Sequence, residues 1–94
     1  MLLLLAAPVV HASDASAPKV EIFVTSWCSY CRKLESFLKK KKIDYKRFDV
    51  EKDGQGAQLF SDLGGQGVPL SRVNGRVIHG YDPDGILKAL KDSD

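Results

Sequence analysis

Val20-Glu21-Ile22-Phe23-Val24-Thr25 is apolar at nearly every position, and within a few residues the pattern changes. From Ser29 onward, Cys31, Leu34, Phe37 and Leu38 recur at the three- and four-residue steps of a helix face. The first run predicts a buried strand over Lys19 to Thr25, and the second a helix over Ser29 to Lys41. Trp27-Cys28-Ser29-Tyr30-Cys31 lies at their junction. A Cys-x-x-Cys pair at a strand-to-helix junction reads as a thiol redox site. Free N–H groups and the helix dipole favour a thiolate there, and the thiolate is the reactive form of cysteine. Cys28 then stands at the exposed lip as the attacking sulfur. Cys31, one turn further in, is placed to resolve a mixed disulfide.

Other uses of the pair are weaker. A disulfide closing so short a loop removes little entropy from the unfolded chain. A structural zinc site takes about four N/S ligands. The sequence holds two Cys and two His, one of them His11 in the leader, so no metal site within one chain is expected. Inert packing does not call for this spacing.

Ninety-four residues, 44% of them hydrophobic, suffice for one small domain with a single core. A net charge of +2 does not point to nucleic acid. The one like-charge run, Lys39-Lys40-Lys41-Lys42, ends the first helix, where cations complement the dipole. It reads first as a solvated face, with an acidic partner as the alternative. Residues 1–12 open on an apolar run containing Leu2-Leu3-Leu4-Leu5, too short to span a bilayer but of the length of a signal-peptide core. Val10-His11-Ala12 presents small residues for cleavage before Ser13. These residues are read as a signal peptide or N-terminal anchor, implying export and no stable membrane span. Residues 13–18 form a polar spacer and 19–94 the domain.

Ile43 to Val50 predicts a second strand, parallel to the first because a whole helix crosses between them. A polar turn over Glu51 to Gly56 leads to a short helix with Ala57, Leu59, Phe60 and Leu63 as its apolar set. Val68 to Val73 and Arg76 to His79, joined by Asn74-Gly75, predict a hairpin with a tight type I′ turn. Asp82-Pro83-Asp84 has the composition of a helix start, and Ile86, Leu87 and Leu90 give the last helix its apolar face. The order is β-α-β-α-β-β-α, an α/β fold with a four-stranded mixed sheet and three helices, the minimal thioredoxin-like arrangement.

Three segments together resemble the glutaredoxin family over roughly residues 19–91. Cys28-Ser29-Tyr30-Cys31 is similar to that family's Cys-Pro-Tyr-Cys site. Gly67-Val68-Pro69 resembles its Thr-Val-Pro, whose proline is cis and lies beside the cysteines. Gly80-Tyr81-Asp82 resembles its Gly-Gly-x-Asp turn, which with the following helix start holds the γ-glutamyl carboxylate of glutathione. The resemblance implies a dithiol oxidoreductase with catalytic Cys28 and Cys31 and glutathione as co-substrate. It implies a binding groove formed by Trp27, Tyr30, Gln66, Val68, Pro69, Gly80, Tyr81 and Asp82. Its partners would be disulfide-containing or glutathionylated proteins, met by a monomer.

The sequence departs from the family pattern at Thr25, where many members carry a Lys for the glycine carboxylate of glutathione. His79 replaces the first glycine of the turn, and Ser29 the proline between the cysteines. Gln66 stands where an Arg or Gln is common. Two alternatives follow from these departures. Without the lysine, a partner protein could supply electrons in place of glutathione. Without the proline, a [2Fe–2S] cluster bridging two chains through Cys28 and two glutathione thiols is conceivable.

Overall fold

The computed structural model describes residues 19–92. The leader over 1–12, the spacer over 13–18 and the last two residues of the 19–94 domain lie outside them. In chain order the elements are β1 (Val20–Val24), α1 (Ser29–Lys40), β2 (Tyr45–Asp49), α2 (Gly54–Asp62), β3 (Leu70–Val73), β4 (Arg76–His79) and α3 (Pro83–Asp92). The predicted order β-α-β-α-β-β-α holds, and the first three strands are shorter than the runs that predict them.

The sheet order is β2-β1-β3-β4. β1 pairs parallel with β2 and antiparallel with β3, and β3 pairs antiparallel with β4. The continuous apolarity of β1 follows from its inner position, because both of its faces are covered. Val20, Ile22 and Val24 join Leu34 and Leu38 of α1 and Ile86 and Ala89 of α3 in one core. Phe23 faces the other way and meets Phe48 and Leu70, with Leu59 and Phe60 of α2 packed on them. Phe23 and Phe48 lie in register across the β1–β2 ladder, their rings stacked 5.0 Å apart. Two helices therefore cover one face of the sheet and one helix the other.

Helix ends follow local chemistry. At the C-terminus of α1, Lys42 takes a left-handed φ of 58°, and the Ile43 N–H reaches back to the Leu38 carbonyl at 2.9 Å. Asn74 and Gly75 both have positive φ, 50° and 87°, as a type I′ hairpin turn requires. Across the outer edge, the Tyr45 hydroxyl donates to Glu35 at 2.8 Å, and Arg47 pairs with the same carboxylate at 3.1 Å. Burial, reinforced by Glu35, pushes the Tyr45 phenol up to about 12.

The start of the second helix differs most from expectation. α2 begins at Gly54, inside the stretch read as a turn, with the Asp53 carboxylate accepting the Gln55 N–H at 3.0 Å. The polar stretch read as a turn carries its second glycine for a packing reason. Gly56 is buried against Phe48, and a Cβ on it would sit 2.9 Å from the Phe48 Cβ. α2 needs that close approach to cover Phe23 and Phe48. Gly56→Ala should therefore destabilise the fold by about 1–3 kcal/mol through overpacking, despite alanine's better helix propensity. Gly54→Ala, with open space around its Cβ, should be neutral or stabilising. Urea unfolding of both variants checks the contrast; equal effects would contradict it.

Candidate active site

The parallel strand ends set the position of the site. β1 stops at Val24, the chain turns through Thr25 to Trp27, and the Cys28 N–H reaches the Thr25 carbonyl at 3.5 Å. Cys28 then caps α1. It has extended backbone angles, φ −85° and ψ 112°, and its Sγ accepts the Cys31 N–H at 3.1 Å. A sulfur thus takes the place usually held by a Ser, Thr or Asp oxygen. One turn of helix brings Cys31 back beneath it, with the Cα atoms 5.2 Å apart and the two residues joined as a disulfide. Cys28 is 6% exposed and Cys31 1%, so the outer sulfur is the one an incoming group meets.

The opposite wall comes from the far half of the chain. The Val68–Pro69 bond is cis. The Val68 carbonyl oxygen lies 3.8 Å from Cys28 Sγ. The Pro69 carbonyl accepts the Gly80 N–H at 2.8 Å, which ties the turn after β4 to this loop. Gly80 has φ 77°, a conformation that favours glycine. Asp82 starts α3 by capping it: its side chain accepts the Gly85 N–H at 3.0 Å and its carbonyl the Ile86 N–H at 3.1 Å. Tyr81 leans towards Tyr30, ring centroids 6.2 Å apart, and the Lys33 ammonium stands 5.0 Å over the Tyr30 ring. Cys28, Cys31, Tyr30, Val68, Pro69, Gly80, Tyr81 and Asp82 are thereby brought to one side of the molecule.

Trp27 and Gln66 stand apart from that grouping. The Trp27 ring is 66% exposed, and its Nε1–H donates to both Glu51 carboxylate oxygens at 3.1–3.2 Å. It flanks the site from the β2 side and does not cap the core. Gln66 is exposed on the loop before β3, with no side-chain hydrogen bond among the described residues. Thr25 is 5% exposed, and its Oγ1 has no partner among them. His79 ends β4 on the surface.

Nothing in the linear pattern singles out Glu51. The signal available is the parallel pairing of β1 and β2, which sends the residues after both strands to the same end of the sheet. Trp27 and Glu51 each follow one of those strands within a few positions. Ser71, polar but fully buried between Ile22 and Ile78 in the ladders, likewise has no Oγ partner among the described residues. Arg72 beside it is accounted for by its ion pair with Glu21 at 2.6 Å, which raises the guanidinium pKa. No group of three His, Cys, Asp or Glu among the described residues is placed to hold a metal. Nor is any helix among them long and apolar enough to cross a membrane.

A disulfide-linked cysteine pair at a helix start, both residues largely buried with Cys28 the less so, faces a cis-proline loop on a β2-β1-β3-β4 sheet and defines a thiol–disulfide oxidoreductase of thioredoxin-like architecture. The glutaredoxin family model matches residues 20–78. A glutaredoxin-like 8.6 kDa protein of the rubredoxin operon of Clostridium pasteurianum is 30% identical over 73 residues, 77% of this chain and 97% of its own length. Among solved structures, the thioredoxin-like protein BC3987 superposes with a TM-score of 0.71 at 27% identity, covering 77% of this chain and 100% of that one. A buckwheat glutaredoxin in complex with glutathione has the same fold at a TM-score of 0.63 and 21% identity, covering 80% and 78%. The chain belongs to the glutaredoxin family.

Because the Asp82 carboxylate caps α3 through the Gly85 N–H, Asp82→Ala should cost about 1 kcal/mol of folding stability, while Asp82→Asn should retain most of it. Urea denaturation of the two variants reads the difference. Equal losses would mean that the cap does not account for Asp82's contribution.

Proposed function

We propose that this protein is a glutathione-dependent oxidoreductase that reduces protein disulfides and glutathione mixed disulfides through Cys28. The main support is the inequality of the two sulfurs. Cys28 is the less buried residue, and its Sγ accepts a backbone N–H at a helix start, an arrangement that stabilises a thiolate when the pair is reduced. Cys31 is buried behind it. The chemistry is a sequence of sulfur exchanges. The Cys28 thiolate attacks a substrate disulfide, forming a mixed disulfide and releasing one substrate thiolate. Cys31, deprotonated, then attacks Cys28 Sγ, releases the second thiol and closes the Cys28–Cys31 disulfide. Two glutathione molecules return the pair to dithiols and leave as glutathione disulfide, so two electrons pass in each cycle.

The Val68 backbone beside Cys28 suits an extended substrate laid along the loop as an added strand. The turn at Gly80 to Asp82 and the start of α3 offer N–H groups for the γ-glutamyl carboxylate. Tyr30 and Tyr81 are proposed to flank the bound peptide, with Trp27 and Gln66 at its margins. The buckwheat glutaredoxin with this fold is seen bound to glutathione, which makes that ligand the first to try.

Thr25 favours a second reading, in which a partner protein supplies the electrons. Its buried hydroxyl cannot replace an ammonium for the glycine carboxylate of glutathione. Equilibration in glutathione buffers decides between the two. A potential near about −200 to −230 mV, with glutathione found on Cys28 by mass spectrometry, is expected for the first. A value near about −270 or −120 mV without that adduct would establish the second. In either case Cys28→Ser should abolish exchange. Cys31→Ser should keep turnover of glutathione mixed disulfides, because a second glutathione can replace the resolving sulfur. Full activity in Cys28→Ser would refute the assignment.

The apolar residues 1–12 are proposed to direct export, with cleavage after Ala12. N-terminal sequencing of the secreted protein should read from Ser13, and retention of Met1 would exclude a cleaved leader.

A further inference from the structure

A cleft of about 660 Å³ runs along the outer face of α1. It opens at Ser29, between the two cysteines, and ends at Lys40 and Lys41. Phe37 and Tyr81 supply apolar lining, and Arg32, Lys33, Lys40 and Lys41 line it too, with no acidic side chain among the lining residues. Among the described residues none of these four cations pairs with a carboxylate. The Arg32 guanidinium reaches only the Ser26 carbonyl, at 3.5 Å, and the Lys33 ammonium only the Tyr30 ring.

The reason is visible on the helix itself. Glu35 is the one acidic residue of α1, and it is turned away towards β2, held by Tyr45 and Arg47. Four uncompensated cations are thus gathered in one concavity of a chain whose formal net charge is only +2. Local potential in such a cleft exceeds what net charge suggests, because low-dielectric walls focus the field.

We propose that this cleft docks an acidic segment of the client protein adjacent to its reacting disulfide. The inference rests on the thiol–disulfide reading of the Cys28–Cys31 pair. From Ser29 to Lys40 the helix rises about 16 Å, the length of about five extended residues. A client whose sulfur sits at Cys28 can therefore lay about five residues along α1, setting carboxylates against the four cations and an apolar side chain on Phe37 or Tyr81. Apolar lining from Phe37 and Tyr81 set among the cations suits a polypeptide of mixed acidic and apolar side chains over an anionic bilayer surface. Contiguity with the disulfide argues for a client over an unrelated ligand. Such charges act on encounter rate and on discrimination between clients more than on total affinity.

The test uses the oxidised full chain, titrated with a cysteine-free ten-residue peptide containing five consecutive glutamates. A glutamine peptide of equal length is the control, and binding is followed by amide NMR. The expected result is shifts confined to α1 and Tyr81, binding at least tenfold tighter than the control, and its loss in 1 M NaCl, where the screening length falls to about 3 Å. Lys40→Glu with Lys41→Glu should weaken the glutamate peptide by about tenfold. Both peptides are then offered as cysteine mixed disulfides to the dithiothreitol-reduced chain, and the ratio of their single-turnover rates should exceed about tenfold at low salt. Equal binding, equal rates, or binding to phosphatidylserine vesicles without binding to the peptide would overturn the proposal. Reduction of neither peptide would instead overturn the oxidoreductase reading beneath it.

Discussion

Helix α1 begins on a sulfur atom, and the site is arranged around that one hydrogen bond. The Cys31 N–H donates to Cys28 Sγ at 3.1 Å, in the position where a Ser, Thr or Asp oxygen would ordinarily close the first turn. The contact caps the helix, sets the two cysteines one turn apart and gives them opposite characters. Cys28, 6% exposed, is left at the outer edge of the core with a donor aimed at it. Cys31 is left within the core beside Leu34 and Ile86. Without a helix beginning at that residue, the same pair would be a short disulfide with no preferred direction of attack.

The sheet holds the rest of the site against that helix. β1 delivers Cys28 from the middle of the sheet, and β3 and β4 return the chain so that Val68, Pro69 and Gly80 arrive opposite it. None of these groups is a side-chain acid or base. The wall opposite Cys28 is mostly backbone, with the Val68 carbonyl 3.8 Å from the sulfur and the Pro69 carbonyl bonded to the Gly80 N–H. In the proposed function, such a wall suits substrates recognised through their own backbone near a disulfide. Under the proposed reading, selectivity comes from the margins, where Trp27 stands on the β2 side and the basic face of α1 on the other.

Charge is distributed in keeping with this division. The edge facing β2 is self-compensated, with Glu35 serving Tyr45 and Arg47, while Arg72 and Glu21 close the β1–β3 ladder. Across the helix axis the same α1 shows cations with no carboxylate partner among the described residues. One helix therefore carries a core stripe, a neutralised edge and a basic edge, set by which way the single carboxylate turns.

Much of this was legible in the linear chain, because its signals are local. The change of period around Cys28, the Asn74-Gly75 turn and the Asp82-Pro83 helix start each depend on chemistry within a few residues. With the rule that a helical crossover makes strands parallel, they determined the element order and the cysteine pair's place in it. The polar stretch over Glu51 to Gly56 misled for the same reason: local composition signals a turn, whereas packing against Phe48 requires a glycine within α2. Only the tertiary structure decided that Trp27 meets Glu51, that Thr25 and Ser71 are buried without hydroxyl partners among the described residues, and that Arg32, Lys33, Lys40 and Lys41 share a cleft with Tyr81. Those facts depend on contacts between residues far apart in the chain and on the rotation of one helix about its axis. Residue spacing along the chain records neither.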